Sequence, residues 1–402
     1  MPIADLLTNL HVVLPKLLEE EKAQQTKVWE KFLYLRATFI EKKIGESLGA
    51  IFDKKKILQN LFYEFQGQRY ETDTLIPYDN KIILIEAKSG FFSEPAKRGG
   101  IMSLKKDLQN LIHSALEQSS RTMRYIKSTE NAVFTDESGR EIYKIEMACE
   151  KVEFYLINVT LEPLRFFSID LHQLKSLNLF CDGEYPWSAN LLDFDIVTRC
   201  LELSPIFLHY VASRLRAQAE NIFYSPSELS FLSWYLQKGN FISPLTPDGS
   251  RPAIVSLTGE WIDPFDSHFL YDKPLPKIRM DEDLLQIIRY LNDSKPAHFS
   301  EIVNTLLELL VQEKELIMQT LRDLSKKSNK KGRMCESHYL PSSYNEIGFT
   351  IMTQYGNTNL CNRLQESCQG KMRPLNLPKW IGIAKDVSDK HSPVDCVILL
   401  TR

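Results

Sequence analysis

The sequence has no apolar run near the roughly 20 residues a membrane-spanning helix needs. Its first residues, Met1 to Asp5, have no basic stretch ahead of an apolar block, so no secretory leader is expected. Cysteine is scarce: seven residues, odd in number and scattered, argue against a disulfide framework and for reduced thiols in a cytoplasmic setting. There is no glycine-rich phosphate loop, so ATP-driven chemistry would have to come from a separate chain. Cys335 and His338, with Cys361 and Cys368, lack the second tight pair that a structural zinc site shows. Nor is there a surplus of positive charge. With 49 basic and 52 acidic residues the net charge is −3. A chain binding nucleic acid over its whole surface would be basic, so any such binding must be local.

What remains is an ordinary globular composition, 43% hydrophobic and 25% charged, in a 402-residue chain long enough for two or three domains. The stretch from Glu71 to Gly90 organises it. Leu75 and Ile76 lead into the turn formers Pro77, Asp79 and Asn80, and the unbroken apolar run Ile82 to Ile85 leads out. This predicts a hairpin whose second strand is buried on both faces. A turn centred between Asp79 and Asn80 pairs positions that sum to 159. Asp73 then stands opposite Glu86, and Glu71 opposite Lys88. Glu86 and Lys88 share a face because side chains alternate along a strand. Like charges set opposite each other destabilise a sheet, so the acidic end of this hairpin calls for a cation.

Asp73, followed after an apolar strand by Glu86, Ala87 and Lys88, resembles the PD-(D/E)xK signature of restriction-endonuclease-like nucleases. Glu71 and Asp73 with Gly45 and Glu46 upstream look closest to the nuclease-related (NERD-like) branch. Thr72 stands where the signature has proline. The resemblance covers about residues 41 to 127. It implies an α/β (α+β) fold, a restriction-endonuclease-like mixed sheet flanked by helices. It implies Glu46, Asp73, Glu86 and Lys88 as catalytic residues, with Mg2+ or Mn2+ held by Asp73, Glu86 and the Ala87 backbone carbonyl. Glu71 and Gln118 are secondary candidates, and Glu71 could instead pair structurally with Lys88.

The segment from Lys81 to Lys127 carries nine basic and four acidic residues. Lys97, Arg98, Lys105, Lys106, Arg121 and Arg124 are its candidates for phosphate contact, against the alternative of a merely solvated helix face.

Along the chain, residues 1 to 60 read as helix, with Gly45 an interior exception that lets backbones approach. Residues 61 to 70 read as one half-buried strand, with Glu64 a weaker acidic candidate. Residues 103 to 127 read as one long amphipathic helix carrying Gln118. Residues 142 to 150 and 152 to 159 read as a strand pair. His113 and His209 read as packed helix histidines. Residues 325 to 333, with five basic residues, read as an exposed loop, and the mostly helical C-terminal half shows no catalytic spacing. The expected domains are a helical arm (1–29), a nuclease core (30–165), a helical extension (166–270) and a C-terminal α/β domain (271–402).

The expected activity is Mg2+-dependent hydrolysis of phosphodiester bonds, by an endonuclease acting on DNA ahead of RNA. By the same resemblance its setting is bacterial defence against foreign DNA, or repair. A homodimer is expected if both strands are cut, as is a partner protein on the C-terminal half, with no membrane partner. The competing expectation is a non-catalytic nucleic-acid- or protein-binding scaffold on a degenerate nuclease fold.

Overall fold

The computed structural model describes residues 17–146, 152–164, 166–171, 174, 179, 185–225, 227–241, 253–341, 346–356, 359–389 and 392–402. The end of the strand expected over 142–150 and the first 16 residues of the N-terminal arm lie outside them. The fold is mixed α/β. It divides into two compact units. The first comprises Met1–Glu202, Tyr210–Gln237 and Phe241–Lys277; the second comprises Leu203–His209, Lys238–Asn240 and Ile278–Arg402.

The first unit is built on a seven-stranded sheet. Helix α1 (Lys27–Leu48) opens it, capped by Thr26, whose hydroxyl accepts from the Trp29 amide at 3.4 Å. Its buried positions Trp29, Arg36, Ile40, Ile44 and Leu48 recur at steps of seven and four, which is what turns one helix face to a core. Three antiparallel strands follow: β1 (Leu58–Phe65), β2 (Gln68–Tyr78) and β3 (Lys81–Lys88). Then come helix α2 (Ile101–Leu108), a π turn over Gln109–His113 and helix α3 (Ser114–Ser128). The remaining strands are β4 (Asn131–Thr135), β5 (Glu141–Glu146), β6 (Glu153–Thr160) and β7 (Trp187–Asn190), in the spatial order β5-β4-β1-β2-β3-β6-β7.

The β2–β3 register runs from Tyr78↔Lys81 to Thr74↔Ile85, each pair summing to 159 as the turn residues require. Asp79 takes the left-handed conformation (φ 54°) that this tight turn needs. Every residue from Lys81 to Glu86 is buried, because β6 lies parallel on the other side of β3 and α3 packs over both strands.

Three expectations are corrected. Residues 61–70 form the end of one strand and the start of the next, joined at Gln66 (φ 53°) and Gly67 (φ 76°). The runs at 142 and 152 do not pair with each other: β5 pairs with β4 at the sheet edge, and β6 is inserted between β3 and β7. A buried apolar strand such as β6 needs neighbours on both sides, and the interior of the sheet supplies them. The helix over 103–127 starts at Ile101 and carries the π turn.

The second unit has its own four-stranded sheet. Strands Ile347–Gln354 and Lys379–Asp386 run parallel, with helix Leu360–Leu375 between them in sequence and packed on them. Antiparallel strands Cys335–Tyr339 and Cys396–Thr401 close the two edges. Helices Glu282–Ser294, Phe299–Glu308 and Val311–Lys331 precede it. Residues 325–331, expected as loop, are the last turns of the third of these. Ser328 is buried there and its hydroxyl reaches Thr353.

Candidate active site

The site lies where β2 and β3 part. Ladder pairing stops at Thr74↔Ile85. One residue on, Asp73 Oδ2 accepts the Ala87 amide at 2.7 Å, so a side chain takes the place of the next backbone bond. Asp73 also lacks a regular partner on its other side. In the β1–β2 ladder the pairs Gln59↔Thr74 and Leu61↔Thr72 leave out the rung between them, where Asn60 sits at φ 52°. A break in both ladders at one residue frees its carboxyl to face other side chains.

Glu86 is fully inaccessible. Its Oε1 accepts from the Thr72 hydroxyl at 3.0 Å, while no donor among the described residues reaches Oε2. Burial and then the adjacent Asp73 carboxylate push the Glu86 carboxyl well above its ordinary value, with Lys88 and Thr72 pulling it back. Asp73 is also raised, first by burial, and the two carboxyls lie within hydrogen-bonding reach of each other. Lys88 Nζ donates to Gln118 Oε1, so α3 hands an amide oxygen to the lysine across the sheet. Thr122, one turn further along α3, meets the Tyr63 hydroxyl at 3.0 Å and fixes the helix on β1.

The remaining candidates divide. Glu71 is exposed and pairs across β1 with Phe62, because β2 turns from β3 to β1 before reaching it; the predicted Glu71–Lys88 pair does not form among the described residues. Glu46 stands on the outer side of α1, held by Lys43 at 2.5 Å and Lys42 at 3.9 Å. The helix carboxylate near Asp73 is Glu41. Burial, Asp73 and Glu71 push its carboxyl up to about 6. Five residues on a helix span roughly 500°, which sets Glu41 and Glu46 about 140° apart, so only one of them turns toward Asp73. The signal for Glu41 was its register with Ile44 and Leu48, the buried stripe.

Gln59 bridges α1 to the sheet, donating to the Glu41 carbonyl at 3.0 Å. Gly45 makes that contact possible: a Cβ there would stand 2.7 Å from Gln59 Oε1. A pocket of about 470 Å3 opens beside it, lined among others by Glu41, Glu46, Lys42, Lys54 and Gln59. Arg36, unmarked in the sequence reading, is buried and clamps the loop after Lys88. Its guanidinium donates to the Ser89 carbonyl at 3.0 and 2.8 Å and to the Gly90 carbonyl at 3.4 Å.

Of the basic candidates, Lys97 and Arg98 flank Glu94 at 3.6 and 4.0 Å. Lys105 is half-buried, Lys106 and Arg124 are exposed, and Arg121 lies over the Tyr70 ring at 4.2 Å.

No group of three or more His, Cys, Asp or Glu side chains among the described residues is arranged to hold a metal ion. The donor chemistry at Asp73 and Glu86 nonetheless fits a hard divalent cation. Two adjacent carboxyls, one with an oxygen that no donor among the described residues reaches, supply oxygen ligands, and Mg2+ is commonly bound by one or two carboxylates with water completing its shell. Comparison of the chain with models of known protein families, with curated proteins and with solved structures finds no match.

Proposed function

We propose that this chain is a divalent-cation-dependent nuclease that hydrolyses phosphodiester bonds of DNA, as its resemblance to PD-(D/E)xK nucleases implies. One observation carries the reading. Asp73, Glu86, Lys88 and Gln118 come together at the break between β2 and β3, and a fully buried carboxyl oxygen there has no donor among the described residues. A salt-bridged hairpin end would pair its acids with cations of the chain, whereas here the acids face each other.

Asp73 and Glu86 would hold Mg2+ or Mn2+, with the Ala87 carbonyl as the third oxygen. The bound cation would supply charge neutralisation on the phosphate and acidification of a water. Lys88 binds a phosphate oxygen or orients the attacking water, and Gln118 fixes the direction of its ammonium group. Thr72 holds Glu86 Oε1 and so sets the rotation of that carboxyl. Glu41, ionised above about pH 6, accepts a proton or orders a water on the α1 side. Arg36 fixes the backbone just after Lys88.

The test is incubation of the full chain with supercoiled plasmid, single-stranded DNA and single-stranded RNA, in Mg2+ or in EDTA. The expected result is cleavage of DNA in Mg2+ and none in EDTA. Cleavage of RNA alone would reassign the substrate. Cleavage that persists in EDTA would overturn the mechanism. A folded chain that binds the nucleic acids without cutting any would favour a scaffold role.

A further inference from the structure

Asn158 stands one strand away from Glu86. β6 runs parallel to β3 with Glu86↔Asn158 in register, so the two side chains share a face and their backbones are about 4.8 Å apart. Both residues are fully inaccessible. Buried amides in folded proteins have their polar atoms partnered. Asn158 Nδ2 meets this rule, donating to the Leu111 carbonyl at 3.0 Å and to Ser188 Oγ at 3.1 Å. Ser188 belongs to β7, on the side of β6 away from β3. With the amide nitrogen held by Leu111 and Ser188, Oδ1 is the end of the amide left over. No donor among the described residues reaches that oxygen or Glu86 Oε2.

The surroundings hold this arrangement in place. The π turn over Gln109–His113 contains Leu111, and a π turn displaces carbonyls from the regular helical ladder. The Leu111 carbonyl is the one that Asn158 takes. Gly90, just past Lys88, leaves room for it: a Cβ there would lie 2.8 Å from Leu111 Cδ2. A carbonyl of the π turn and a serine on the next strand hold one buried amide in register with Glu86, and its carbonyl end is left without a donor among the described residues.

We propose that Asn158 is a further positioning residue of the cation site, its Oδ1 and Glu86 Oε2 together accepting from the hydration shell of the divalent cation held at Asp73 and Glu86. This rests on the cation-dependent reading above. What the position needs is an oxygen that accepts from the same water as Glu86 Oε2, which either an amide or a carboxylate side chain supplies.

The experiment titrates Mn2+ into the full chain and follows free Mn2+ by electron paramagnetic resonance. It compares wild type, Asp73→Asn, Asn158→Leu and Asn158→Asp, with Asn158→Ala taking the place of the leucine variant if that one does not fold. Leucine and aspartate both lack the amide that holds Leu111 and Ser188, so a purely structural role weakens both alike. The proposal expects Asn158→Leu to weaken Mn2+ binding by about 10-fold or more. It expects Asn158→Asp, which keeps an oxygen toward Glu86, to bind at least as tightly as wild type. Equal losses in the two variants, or wild-type affinity in Asn158→Leu or Asn158→Ala, would overturn it. A wild-type chain that binds no Mn2+ overturns the cation-dependent reading and this inference with it. Binding lost in Asp73→Asn but untouched by all Asn158 variants overturns this inference alone.

Discussion

Asp73 both accepts the Ala87 amide and faces Glu86, and the two roles separate by substitution. Asparagine keeps an oxygen for the amide and removes the charge, so Asp73→Asn should fold with wild-type circular dichroism. Glu41 and Glu46 offer a second contrast at this scale. Glu41→Gln should lower the rate of DNA cleavage by about 10-fold or more, while Glu46→Gln, on an exposed carboxylate paired with lysines, should leave it within about twofold. Glu41 also sets a pH dependence. Its carboxyl rises from 4.5 to about 6 on folding, so between those values the folded chain binds more protons than the unfolded one. Stability in EDTA should therefore fall as pH rises from 4.5 to 6, and Glu41→Gln should flatten that slope in thermal melts. A wild-type melting temperature that rises across the same window would contradict the environment assigned to Glu41. The Asp73–Glu86 proximity is legible in the sequence because a two-residue turn fixes which residues face each other; Lys88 follows from strand alternation with Glu86, and its expected partner Glu71 turns away to β1. Glu41 is not legible, because a charged helix run such as Glu41 to Glu46 offers no sign of which carboxylate turns inward until the buried stripe is phased against the sheet.

At the level of elements, the β2–β3 hairpin is the part of the fold that local sequence decides. Pro77, Asp79 and Asn80 make the turn, and the apolar run of β3 demands burial on both faces. The partner of β6 is decided by long-range pairing instead, and so the sequence reading joined it to β5. The π turn leaves no local mark either, since Gln109 to His113 reads as regular helix; the Leu111 carbonyl within it is taken by Asn158 from another element. Contacts between elements give a test of packing. Arg36 ties α1 to the loop after β3, and Arg36→Met would keep the aliphatic bulk while leaving two carbonyls without their donor. Hydrogen bonds to a charged group are worth about 1.5–3 kcal/mol, so urea denaturation should show a loss of about 2 kcal/mol. A loss below about 0.5 kcal/mol would mean that water replaces the clamp without cost.

The whole molecule is two compact units, each with its own sheet and its own core, and the candidate site belongs to the first. Units with separate cores often unfold separately. Calorimetry should then resolve two transitions, with Mn2+ raising one and leaving the other in place; a single transition raised as a whole would show the units to be energetically one. The mixed α/β class is expected from the nuclease resemblance, and the helix-rich second half from hydrophobic periodicity. Strands in the second unit are expected too, since residues 351–402 read as mixed strand and helix, but their order and pairing are not, because short apolar runs carry no sign of which neighbour they join. What the chain does turns on one reaction. The most direct measurement is cleavage of end-labelled DNA in Mg2+ by the wild-type chain, Asp73→Asn and Lys88→Met, each first shown to be folded. The account predicts cleavage by wild type that EDTA stops, and its loss in both variants. Cleavage retained by folded Asp73→Asn or Lys88→Met would contradict it.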